Sequence, residues 1–309
     1  MTSRDLISIH DLSRDEVLEI LDVAADIKAR PREHRAALER KTLAMVFEKP
    51  SLRTRVSFET GMTQLGGHAI AIQGSEVGLG KREAIGDVAR TLEGMVDGIM
   101  ARTFSHQILI DLAAAASIPV INGLSDHLHP CQALADYLTL REQKGKLEGL
   151  TLGWLGDGNN VLHSLMYAGA KLGVNVQAAT PEGYEPDPGV VARAQADARA
   201  TGTRITVGRD PAEALKGADV VYTDTWASMG QEAEHAARVQ VFRPYQVNAA
   251  AMEKANPGAL FMHCLPAHRN EEVTDDVMDS PASVVFPQAH NRLYAQKAVM
   301  VLLMGSAGT

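Results

Sequence analysis

Short apolar runs of strand length alternate with longer amphipathic stretches from Thr42 almost to the end of the chain, and this rhythm leaves few architectures open. Thr42–Phe47, His68–Ile72, Gly98–Ala101 and Val120–Asn122 read as strands. Between them lie helical stretches ending at Gly66-Gly67 and covering about 84–96 and 106–116, and Pro130–Gln143 closes the series as a helix. Ser13-Arg14-Asp15-Glu16 has capping-box spacing, and Val17, Ile20, Leu21, Ala24 and Ile27 recur at helical intervals behind it. Strands joined by helices call for parallel pairing, because a parallel neighbour needs a long crossover. The polar, glycine-punctuated segment Gln143–Gly149 interrupts the rhythm. A second series follows, with strands at about 151–155, 175–179, 204–207, 219–223 and 260–263 and a helix from Gln288 to Met304. A chain of 309 residues exceeds what one core usually fills. The expectation is an α/β protein of two doubly wound parallel-sheet domains with an active-site cleft between them.

Composition removes several classes of function. The 30 Lys and Arg against 38 Asp and Glu give a net charge of −8, with no basic run interleaved with aromatics. No nucleic acid and no membrane is therefore expected as a partner, and no segment reaches the roughly 18 unbroken apolar residues of a span. Cys131 and Cys264 are too few for a disulfide framework, and the opening residues lack the apolar stretch of a signal, so a cytoplasmic protein is expected. A negative chain can still hold an anion, since local donors decide that.

Ligands of open parallel sheets gather beyond the carboxyl ends of the strands. After the first strand, Glu48–Arg55 brings Ser51, Arg53 and Thr54 to a helix N-terminus, whose N–H groups and partial positive charge suit phosphate. The plainer alternative is a Ser51 N-cap with solvated arginines. Later strands lead to Arg102-Thr103-Phe104 and to His127-Leu128-His129-Pro130-Cys131-Gln132, where His129 can donate to a substrate carbonyl. His127 and His129 lack a third ligand at zinc-site spacing, so His127 reads as structural and no metal is expected. Gly156-Asp157-Gly158-Asn159-Asn160 is like a dinucleotide turn without its third glycine, and Ala178-Ala179-Thr180 lacks the ribose-binding acid. The two asparagines could instead meet the carboxylate or amine of a small substrate. Asp224, ahead of Ser228-Met229-Gly230, suits an ammonium group beneath a movable loop, or merely caps a turn. Cys264, in His263-Cys264-Leu265-Pro266, has no orienting partner of the protease kind.

Together, Ser51-Leu52-Arg53-Thr54-Arg55, His129-Pro130-Cys131-Gln132, Asp224 with Ser228-Met229-Gly230, and His263-Cys264-Leu265-Pro266 resemble the aspartate/ornithine carbamoyltransferase family, in order and spacing. The last two elements are similar to its ornithine branch. The resemblance runs from about Asp5 to Met304. It implies a carbamoyl phosphate domain, residues 1–142 plus a returning C-terminal helix at 288–309, and an ornithine domain, residues 143–287. It implies a homotrimer or multiple of trimers, with sites at subunit interfaces and no cofactor. Carried over position by position, Ser51, Leu52 through its backbone, Arg53 and Thr54 would hold the phosphate, with a further contact from Arg292. Arg102, His129 and Gln132 would hold the carbamoyl group. Asn160, Asp224, Ser228 and Met229 would hold ornithine, with Cys264 and Leu265 at the reacting centre. Arg55 would be structural. Leu52 replaces a frequent threonine, and Gly78 stands where the family's inter-subunit loop usually offers Gln or His, so Lys81 or backbone N–H groups would have to substitute.

The implied reaction is carbamoyl phosphate plus L-ornithine giving L-citrulline and phosphate, with Arg102, His129 and Cys264 as catalytic residues. Charge growing on the carbonyl oxygen would be met by Arg102, Thr54 and a protonated His129. Acetylornithine, putrescine or aspartate are alternative acceptors within the family. A nicotinamide dehydrogenase and a non-catalytic binding subunit are the rivals from other classes.

Overall fold

The computed structural model describes residues 1–227 and 232–305, with backbone alone at position 232. The chain divides into two compact units, Met1–Leu138 with His290–Thr309, and Thr139–Ala289.

In the first unit, β1 (Thr42–Phe47), β2 (His68–Gln73), β3 (Gly98–Arg102) and β4 (Val120–Leu124) form one parallel sheet in the order β2-β1-β3-β4. Strands β3 and β4 are buried along their whole length, which explains their mostly apolar sequences, with Arg102 and Asn122 as the polar exceptions. The helix Arg14–Ala29 opens with the expected capping box between Ser13 and Glu16 and buries Val17, Ile20, Leu21, Ala24 and Ile27. The core between sheet and helices includes Val46, Ile99, Ala101, Leu109 and Leu112.

In the second unit, β5 (Thr151–Leu155), β6 (Asn175–Ala179), β7 (Ile205–Gly208), β8 (Val220–Thr223) and β9 (Leu260–His263) run parallel in the order β7-β6-β5-β8-β9. Its core includes Leu155, Val221, Phe261, Val273 and Val277.

Both sheets reverse their direction of growth once. The chain moves from β1 outward to β2 and then returns to the other side of β1 with β3; it moves from β5 to β6 and β7 and returns beside β5 with β8. Crevices beyond such reversal points are where ligands of this architecture sit. The register puts Phe47 beside Arg102 at the first reversal and Leu155 beside Thr223 at the second.

The final helix spans Val285–Met304 and so begins three residues before the Gln288 start read from sequence. Pro287 lies in its first turn, where a missing N–H has no intrahelical acceptor to lose. From His290 onward this helix belongs to the first unit. Gly78 ends the short helix Gly74–Val77 with φ 63°, and a Cβ there would come within 2.8 Å of Arg82 Cβ. A Gln or His at this position would be strained, so the glycine follows from the backbone of its own loop. Among the described residues no helix is long and apolar enough to cross a membrane.

Candidate active site

In the first unit the residues converge on Thr54. Ser51, extended at φ −159°, caps the helix Leu52–Gln64 by accepting the Thr54 N–H at 3.3 Å. It is the N-cap of the plainer reading, and its Oγ also donates to Thr54 Oγ1 at 3.1 Å. Thr54 is fully buried, and its hydroxyl oxygen accepts from Arg292 Nη2 at 3.1 Å and stands 3.5 Å from Arg102 Nη1. Arg292 Nη1 donates to Gln132 Oε1 at 2.7 Å, and Gln132 Nε2 donates onward to Asp136 at 2.8 Å. The last turns of the chain thus return a guanidinium to the opening strand-to-helix loop.

His129 stands one residue ahead of the helix Pro130–Lys144 and is buried. Burial first, then the charges of Arg292, Arg102 and Arg53, hold its pKa well below 6.5. The imidazole is therefore neutral at physiological pH, which corrects the expectation of a protonated His129. A neutral ring still donates through one N–H. Arg53 is half-buried, whereas Leu52 is 75% exposed. Arg55 pairs with Glu59 at 3.4 Å on the exposed side of the helix.

Lys49 was not singled out from sequence. It is buried, with Nζ 4.3 Å from the centroid of the Phe104 ring. Burial, and then the Arg102 charge, lower its pKa, against the pull of Asp126 and Glu48. Its signal was its place directly before Pro50-Ser51. His127 packs against His106 with ring centroids 5.3 Å apart. Cys131 is buried, contacts Asn122 O through Sγ at 3.4 Å, and has its pKa pushed up to about 12 by burial, which makes it an inert thiol.

In the second unit the residues converge on Asp224. Its Oδ2 accepts Asn159 Nδ2 at 2.7 Å, and its Oδ1 accepts the Thr225 N–H at 2.8 Å and the Cys264 thiol at 3.0 Å. Asp224 sits just past β8 and is 7% exposed. Asn159 is also the N-cap of the helix Asn160–Leu172, accepting from Val161 and Leu162. Its amide is thus committed to the fold, and Asn160 stands half-buried beside it. A Cβ on Gly158 would stand 2.1 Å from Pro186 N, so the glycine-rich turn owes this residue to the close approach of the chain's own Glu185-Pro186.

Beyond β9, the His263 N–H donates to Gln288 Oε1 at 3.0 Å, and Gln288 Nε2 donates to Tyr222 Oη at 2.9 Å. The Leu265 N–H donates to His263 Nδ1 at 2.8 Å, which puts the ring proton on Nε2, 3.2 Å from Glu272 Oε1. Leu265 has φ 59°, an uncommon conformation for its type, followed by a cis bond to Pro266. Ser228 and Met229 lie outside the described residues. Glu272 and Gln288, both fully buried, were missed from sequence because only the folded chain brings them to His263.

Each unit also matches a known domain. Residues 4–142 match the family model described as the carbamoyl-P binding domain of aspartate/ornithine carbamoyltransferase, and residues 148–303 match its Asp/Orn binding domain. The chain belongs to the aspartate/ornithine carbamoyltransferase family. Among curated relatives, the ornithine carbamoyltransferase of Thermococcus kodakarensis is 56% identical, over 99% of this chain and 98% of the relative. The anabolic ornithine carbamoyltransferase of Pyrococcus furiosus is 54% identical over 99% of this chain and 98% of its own. The solved ornithine carbamoyltransferase structure from Pyrococcus furiosus superposes with a TM-score of 0.96 over 99% of this chain and 98% of that one, at 54% identity.

Proposed function

We infer that the chain transfers the carbamoyl group of carbamoyl phosphate to the δ-amine of L-ornithine, giving L-citrulline and phosphate, a step of arginine biosynthesis. One observation carries the reading: the guanidinium groups of Arg102 and Arg292 meet at the hydroxyl of Thr54, on the first turn of a helix. Arginines beside helix N–H groups are the donor set of a doubly charged phosphate. Ser51, Leu52 through its N–H, Arg53, Thr54 and Arg292 hold the phosphate. Arg102, His129 and Gln132 hold the carbamoyl group, with Cys264 and Leu265 at the reacting centre. The binding domains are residues 1–142 with the helix from 288, and residues 143–287.

An amine like that of lysine has a pKa of about 10.4, so near pH 7.4 roughly one molecule in a thousand is the neutral nucleophile. Asp224 takes the α-ammonium and Asn160 the α-carboxylate, with Ser228 and Met229 completing the hold on ornithine. The neutral δ-amine then attacks the carbonyl carbon. Arg102, Thr54 and the N–H of neutral His129 receive the charge that grows on the carbonyl oxygen. The C–O bond to phosphate breaks, the attacking nitrogen gives up a proton that ends on the released phosphate, and Arg53, Arg292 and the helix N-terminus stabilise the departing hydrogen phosphate dianion. The enzyme acts in the cytoplasm as a homotrimer or a multiple of trimers.

A citrulline-forming assay with a panel of acceptors tests the reading. Ornithine is expected to be carbamoylated at a kcat/KM at least 100-fold above those of acetylornithine, putrescine and aspartate. Preference for another amine overturns the acceptor, and no product from any acceptor overturns the activity.

A further inference from the structure

A second group of side chains in the second unit, which meets the neighbour of Cys264, His263, through Glu272, is arranged as ligands. The turn after β9 carries His268, Glu271 and Glu272, whose ligating atoms all lie within 4.8 Å of one another. His268 Nδ1 is 4.0 Å from Glu271 Oε2 and 3.8 Å from Glu272 Oε2. The helix His235–Phe242 brings His235 Nε2 to within 3.0 Å of the same Glu271 oxygen. The turn is closed by the Glu271 N–H donating to His268 O at 3.0 Å, so the His-x-x-Glu-Glu spacing turns three ligands to one side.

Ion pairing accounts for His235, His268 and Glu271 and for one oxygen of Glu272, but it leaves the other Glu272 oxygen without a hydrogen bond. Glu272 is wholly buried. Its Oε1 accepts the His268 N–H at 2.5 Å and faces His263 Nε2 at 3.2 Å. Its Oε2 is buried without a hydrogen-bond partner and is turned toward His268 Nδ1. A buried carboxylate oxygen in this position is costly unless a positive charge meets it. Two imidazoles and two carboxylates form a donor set for a divalent transition ion, zinc above all. Zinc bonds of about 2.0–2.2 Å place tetrahedral ligands roughly 3.3 Å apart. The 3.0–4.0 Å spacings already lie near that value, and His235 and His268, 44% and 46% exposed, have room to rotate. The Glu272 hydrogen bond and His263 supply the outer support that ligating groups usually have.

We propose that His235, His268, Glu271 and Glu272 form a zinc-binding site distinct from the residues assigned to ornithine. The ion ties the helix His235–Phe242 to the turn that follows Cys264. It stands independently of the proposed reaction.

Asp224, His263 and Cys264 also lie close enough together to hold an ion, so the experiment uses Cys264→Ala as its background. In that full-length protein, calorimetric titration with ZnCl₂ is expected to show one ion bound at micromolar Kd or tighter, and zinc to raise the melting temperature. Adding His268→Ala or the near-isosteric Glu271→Gln is expected to weaken binding at least tenfold and to remove the thermal shift. His235→Ala is expected to act in the same direction. Absence of saturable zinc binding in the Cys264→Ala protein overturns the proposal, as does binding that the His268 and Glu271 substitutions leave unchanged.

Discussion

The two units use the same architecture to opposite electrostatic ends. At the β1/β3 reversal, Arg102 and Arg292 meet at one threonine hydroxyl, and with Arg53 they press on a buried histidine until it stays neutral. At the β5/β8 reversal, one nearly buried carboxylate is surrounded by neutral donors: an asparagine amide, a backbone N–H and a thiol. The first centre holds positive charges that raise each other's free energy until an anion arrives. The second holds a negative charge already solvated by the protein. A parallel sheet thus supplies a place for chemistry, and the side chains at its strand ends decide the sign of the ligand.

The most severe test of this contrast removes a cation from the first centre. Arg102→Ala is expected to lower kcat by about 10²–10³, the usual loss when one donor to a developing oxyanion is removed. Steady-state kinetics with both substrates would show it. Near-normal kcat would mean that Arg102 does not face the reacting group.

The matching change in the second centre is Asp224→Asn, which keeps shape and removes charge. A charged hydrogen bond contributes roughly 1.5–3 kcal/mol, so the KM for ornithine is expected to rise by about 10–150-fold while that for carbamoyl phosphate stays within twofold. Equal rises in both would erase the division of labour between the units.

How much of this contrast was legible in the sequence depends on distance along the chain. The strands could be read because their runs are local and buried; β1, β5 and β9 stand at the expected residues. The cap at Ser13 and the phosphate-type turn at Ser51 are likewise made by residues three apart. Arg292, in contrast, meets Thr54 across 238 positions, and no periodicity carries that information; only the family resemblance did. The charge of His129 is hidden for a related reason, since it depends first on burial and then on arginines from three separate segments. Asn159 could be taken for a ligand residue because a cap and a binding amide are the same letter. Lys49 and Glu272 were passed over because their burial is a product of the fold, and lysine and glutamate are seldom buried.

Inorganic phosphate probes the contrast without any reaction. A ligand at ten times its Kd stabilises the folded state by about 1.4 kcal/mol, so phosphate is expected to raise the melting temperature by a few degrees. Arg292→Ala is expected to remove most of that shift and Asp224→Asn none of it. If both variants respond to phosphate as the parent does, the anion binds elsewhere.

The smallest effect follows from the histidines that the first unit keeps neutral. His129 is held well below 6.5 by burial and by arginines. His106 is lowered to about 4 by burial and by His127, against the opposing pull of Asp126. In the unfolded chain both bind a proton near pH 6.5, so on acidification the unfolded state gains protons first and stability falls as pH drops below that value. For His129 the loss between pH 7 and pH 6 is under about 1 kcal/mol. Urea unfolding at those two pH values would measure it, and His129→Gln is expected to flatten the dependence. A pH dependence unchanged by the substitution would mean that burial and the arginines do not keep His129 neutral, and the contrast between the two centres would lose its clearest electrostatic sign.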